Sequence, residues 1–186
     1  MDIRTLQTKI RDFLKMPVPS PAPDDPPYIH QLARSEELTL AREIAHWWRA
    51  YQIEQFCPLT ATWLQLQDQL DEKVTRFYEN TNVSAFIEQA SADFLDFLPA
   101  DADSITRSIA RFEKALIEVR RGEKKEYEIE WNMNPYMVLD ALLERRKPDL
   151  ETGQGRYVTA VSSQNPEFFN VYKIENRQTR SLRKRP

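Results

Sequence analysis

Glu43 and His46 stand three residues apart, and Glu-x-x-His on a helix is the spacing by which helical bundles bring carboxylate and imidazole ligands to a shared metal. A bundle site needs a second such pair. The other histidine, His30, has Pro27 where that glutamate should stand. The pairs Asp68 with Asp71 and Asp93 with Asp96 have a spacing suited to general acid–base work, but a chain with 29 acidic residues puts such pairs on solvated helix faces. Cys57, between Phe56 and Pro58, reads as a small buried thiol rather than a nucleophile. Two histidines, one cysteine and three glycines cannot complete a zinc ligand set or a glycine-rich phosphate loop. The chain is therefore expected to carry no catalytic centre, metal or cofactor of its own and to work through a partner, with a helical metalloenzyme built on Glu43 and His46 as an alternative.

The 186 residues suffice for one domain or two small ones, and 41% apolar residues can fill a core. With 30% charged residues, a mean hydropathy of -0.65 and no apolar run near the roughly 20 residues of a spanning helix, no membrane association is expected. The N-terminal residues lack the apolar stretch of a secretory signal, and a lone cysteine makes no internal disulfide, so the expected compartment is the cytoplasm. The net charge of -3 includes five cations within residues 177–186, which leaves residues 1–176 at -8. Such a body repels a phosphate backbone, so a nucleic-acid-binding regulator, the other alternative, would have to bind through that tail.

Apolar spacing sets out the elements. Ile3, Leu6, Ile10, Phe13 and Leu14 predict an amphipathic helix over residues 1–15. Six prolines make residues 16–28 an extended linker, and the helical domain is expected over residues 29–122. Ser35 is the expected cap of a helix whose Leu40, Ile44, Trp47, Trp48, Tyr51 and Phe56 recur at helical steps, and its aromatic residues Trp47, Trp48, Tyr51 and Phe56 span an arc wide enough to need deep burial or a second protein. Deep burial is the first expectation. Pro58 interrupts that helix, Leu70, Val74, Phe77 and Tyr78 turn inward on another, and Ser84 and Ser104 are the expected caps of two more, the last closing at Gly122. The period then becomes two: Tyr127, Ile129 and Trp131 alternate with Glu126, Glu128 and Glu130. Asn134 and Pro135 open a helix that buries Val138, Leu139, Leu142 and Leu143, and residues 156–162 and 168–174 read as two strands. The expected fold is mainly α: an N-terminal helical bundle, a small α+β unit over residues 123–175 in the order strand, helix, strand, strand, and a basic tail over residues 176–186.

The succession Trp48-Arg49, CPLTATWL (57–64), LDEKVTRFY (70–78), ADFLDFL (92–98) and IARFEKAL (109–116) resembles the HvfC/BufC-like proteins, a family labelled as a DNA-binding domain, over residues 40–120. It is also similar in plan to the methanobactin biosynthesis partner protein. The resemblance implies a companion subunit, in a heterodimer, for a multinuclear non-haem iron oxidative enzyme that modifies ribosomally made peptides. In that family the iron ligands belong to the enzyme, and the companion helps to bind and present the precursor.

The strands near residues 126–131, 156–162 and 168–174 are the expected seat of an extended leader peptide, added at an open sheet edge. Tyr127, Ile129, Trp131, Tyr157, Val158, Phe168 and Phe169 are the residues expected to meet the peptide or partner.

Overall fold

The computed structural model describes residues 1–15, 19–81, 83, 87–100, 102–122 and 126–174. They form eight α-helices and one three-stranded antiparallel sheet, a mainly α protein with a small β unit towards the C-terminus. The chain divides into two compact units, Met1–Phe97 and Leu98–Pro186.

The first unit is helical. Helix α1 (Ile3–Lys15) is followed by α2 (Pro27–Ala33), which starts inside the segment expected to be an extended linker. Proline at a first helical position lacks only an N–H that would be unpaired there, so Pro27 opens this helix rather than excluding it. Lys9 holds Asp25 at 2.7 Å just before α2. Phe13, Ile29 and Leu38 form a small buried cluster joining α1, α2 and α3 (Glu36–Phe56). Ser35 caps α3 as expected, its hydroxyl accepting from the Leu38 N–H at 3.1 Å.

Pro58 separates α3 from α4 (Pro58–Leu66), and α5 (Leu70–Asn80) and α6 (Ile87–Phe97) complete the unit. Helix α3 touches α1, α4, α5 and α6 and is the hub of the unit. Val74 and Phe77 of α5 are fully buried with Leu64, Phe94 and Leu95, and Phe77 meets Phe94 edge-on at 5.3 Å. Cys57 is buried, its Sγ 3.7 Å from the Ser91 carbonyl oxygen, as its apolar neighbours suggested. The expected Ser84 cap, residues 16–18 of the linker and residues 176–186 of the tail lie outside the described residues.

The second unit opens with a single 3-10 turn (Leu98–Ala100) and α7 (Ser104–Arg121). The cap of α7 is Asp103, not Ser104. Its carboxylate accepts from the N–H groups of Ile105 and Thr106 and from the Thr106 hydroxyl, three donors that one serine hydroxyl at 104 could not satisfy. Gly122 closes the helix with φ of 74°, the left-handed cap that its position predicted.

Strand β1 (Glu126–Met133), helix α8 (Pro135–Leu143), β2 (Gln154–Ser162) and β3 (Phe169–Lys173) follow, with sheet order β1-β2-β3. Asn134 caps α8 by accepting from the Tyr136 N–H. Val138, Leu139 and Leu142 are buried, but Leu143 is exposed at the helix end, where its side chain has rotated off the packed stripe.

Helix α7 was expected to belong to the helical bundle, with the division after Gly122. It instead packs on β1 and β2 within the second unit. The reason is its apolar face: Phe112 meets Trp131 at 6.0 Å and Phe169 at 5.1 Å, so the sheet's inner face is what buries it.

Candidate functional site

The seven residues expected to bind a peptide divide according to the sheet's pleat. Tyr127, Ile129 and Trp131 on β1 pair with Val161, Thr159 and Tyr157 on β2, and Phe169 of β3 pairs with Val161, so all of these share the inner face. Ile129, Trp131 and Tyr157 are buried there and act as core, which corrects the expectation that they form a recognition surface. The aromatic rings were needed to seat α7. Tyr127 and Phe169 are half-buried on the same face, where Phe169 also meets Tyr136 of α8 at 5.9 Å.

Val158 lies half-buried on the opposite face, between Glu130 and Tyr172. Phe168 precedes β3 with φ of 65°, an uncommon conformation for a non-glycine residue, and its ring lies under the Arg120 guanidinium at 5.4 Å. The structure therefore gathers five of the seven on one packed face and sets Val158 and Phe168 apart.

The two sheet edges differ. On β1, Glu126, Glu128 and Glu130 bring three carboxylates to the edge strand, and the outward Glu130 carbonyl already accepts from the Ser108 hydroxyl of α7 at 2.8 Å. On β3, Ser162 donates to the Phe168 carbonyl and Ile174 to the Arg156 carbonyl. The alternation between these bonds points the N–H and C=O groups of Phe169, Val171 and Lys173 away from β2. Val171 and Lys173 were not among the expected residues, because which strand lies at an edge depends on sheet order.

A second surface lies on α3. Leu40, Ile44, Trp47, Trp48 and Tyr51 are exposed, Trp47 to 61% and Ile44 to 57%, whereas deep burial was the first expectation for the aromatic residues of this arc. The Trp47 and Trp48 rings each stack on Tyr51 at 5.6 Å, so the aromatic residues cover one another rather than a core. The buried positions of α3 are Leu38, Ala50 and Ile53, on another side of the helix. The signal for this surface was present in the sequence as an apolar arc wider than one buried stripe needs.

Glu43 and His46 of the metal alternative both line a cavity beside α3, and the His46 imidazole nitrogen lies 3.6 Å from an Asp71 carboxylate oxygen. No group of three or more His, Cys, Asp or Glu side chains among the described residues is placed to hold a metal ion. Among the described residues no helix is long and apolar enough to cross a membrane. In comparisons with known proteins, the chain matches no family model, no curated protein and no solved structure.

Proposed function

We propose that this chain is a non-catalytic adaptor that binds a multinuclear non-haem iron oxidative enzyme and helps to present that enzyme's ribosomally made precursor peptide. The observation that carries the reading is the α3 stripe, in which five large apolar side chains lie exposed on one arc of a 21-residue helix. Contiguous apolar surface of this kind, with two tryptophans and a tyrosine at its centre, has the composition of a protein-binding hot spot. The resemblance of residues 40–120 to the HvfC/BufC-like companions supplies the class of partner. The β3 edge supports the peptide-binding part: the main-chain groups of Phe169, Val171 and Lys173 that point away from β2 suit strand addition, free of the carboxylates that line β1.

Co-expression with an iron enzyme and a precursor peptide sought among the products of the neighbouring genes tests the reading. A complex that co-purifies with the wild-type chain and is lost in the double variant Ile44→Ser, Trp47→Ser is the expected result. A wild-type chain that stays monomeric in the presence of both would overturn it.

A further inference from the structure

A cavity of about 310 Å³ lies within the first unit, walled by α1, α3 and α5. Three cations reach it from two elements: Lys15 at the end of α1, and Arg42 and Arg49 two turns apart on α3. Arg49 is half-buried, with its guanidinium 4.7 Å from the centre of the buried Tyr78 ring. Its one hydrogen bond, from Nη1 to the Leu14 carbonyl at 3.4 Å, is long for a group with five N–H donors, and among the described residues no carboxylate pairs with it. Lys15 and Arg42 also lack an ion pair among the described residues.

A guanidinium half withdrawn from water with no carboxylate in ion-pair contact among the described residues is disfavoured, and an anion entering the cavity would offset that cost. Burial already pulls the Arg49 pKa down, against the opposing influence of Tyr78, while burial raises that of Tyr78 and keeps its hydroxyl protonated. Glu43 and Glu79 line the same cavity. Two carboxylates beside three cations disfavour a polyanion and suit a ligand with one anionic head and hydrogen-bond donors next to it.

We propose that this cavity binds a small molecule with a single oxyanion head, carboxylate or phosphate, and neighbouring hydroxyl or amino groups. The oxyanion sits against the guanidinium forks of Arg49 and Arg42 and the Lys15 ammonium. Glu43 and Glu79 accept from the donor groups. The site does not depend on partner binding, since none of these residues belongs to the exposed α3 stripe.

Titration of the full chain with glycerol 3-phosphate and, separately, with glycerate, at ionic strength held constant with chloride and followed by amide chemical shifts, tests the proposal. The expected result is saturable change in residues 39–49 and 75–79 with at least one probe. Binding should weaken about tenfold in Arg42→Gln and in Lys15→Gln, half-exposed positions whose variants are checked for an unchanged thermal midpoint. Saturation with glycerol 3-phosphate alone assigns a phosphate head, with glycerate alone a carboxylate head, and with both a site that reads the oxyanion. No saturable change with either probe, or saturation unaltered in both variants, would overturn the proposal.

Discussion

Helices α3 and α7 carry the same kind of periodic apolar pattern and meet opposite fates. In α7, Ile109, Phe112 and Val119 are buried, and the face they make is closed by a sheet whose own aromatic residues were patterned to receive it. In α3 the side chains that bury are Leu38, Ala50 and Ile53, while the larger Leu40, Ile44, Trp47, Trp48 and Tyr51 remain outside. Periodicity reports that a helix has an apolar face. It does not report whether this chain supplies the surface that covers it.

Substitutions that take one helix towards the other test this contrast. The largest effect is expected at Phe112, 1% exposed and in ring contact with Trp131 and Phe169. Phe112→Ala should cost about 3–5 kcal/mol, measured by urea unfolding of the isolated chain. A loss below about 1 kcal/mol would mean that α7 is no more committed to the sheet than the α3 stripe is to a core.

Next comes the cap that fixes where α7 begins. Asp103→Ala should cost about 0.5–2 kcal/mol at neutral pH. Burial works to raise the Asp103 carboxyl pKa, but the hydrogen bonds from Thr106 and Ile105 outweigh it and hold the folded value below the ordinary 3.8. A lowered folded pKa means that the carboxylate's contribution is fully present above 3.8 and is lost as pH falls through the folded value. The gap between wild type and variant should therefore close in acid, and a gap that stays constant down to pH 2 would reject the charged cap.

A gain is expected at Thr159, buried on the sheet's inner face with no hydrogen-bond partner for its hydroxyl among the described residues. Thr159→Val keeps the shape, removes an unsatisfied polar group and should stabilise by about 1 kcal/mol in the same unfolding assay. The smallest stability effect belongs to α3. Ile44→Ser with Trp47→Ser should alter unfolding by no more than about 0.5 kcal/mol, because neither side chain fills a core. A large loss there would erase the difference between the two helices.

Much of the fold was legible in the chain because it rests on local chemistry. Ser35 and Asn134 cap their helices by hydrogen bonds within three residues, and Gly122 adopts a left-handed angle that few other residues tolerate. The alternation in residues 126–131 set Tyr127, Ile129 and Trp131 on one face before any partner strand was known. The candidate site was less legible. The pattern placed Ile129 and Trp131 together but could not tell a face that holds a peptide from one that holds α7, and only the β1–β2 register added Tyr157 to it. The prolines at 26 and 27 were read as breakers because their helix-opening role appears only when the residues that follow find something to pack on, as Ile29 does against Phe13 and Leu38.

By itself the sequence determined most of the helices and strands, the Ser35 and Asn134 caps and the apolar faces, since each of these depends on residues a few positions apart, whereas α2 and the Asp103 cap were not read from it. The tertiary structure decided which faces became interior. It moved α7 onto the sheet, set β3 at an open edge, left the α3 stripe uncovered and drew Lys15 to Arg42 and Arg49 around one cavity. These outcomes depend on contacts between segments far apart in the chain, and the free energy of burial is shared among all the surfaces competing for it rather than written at any one position.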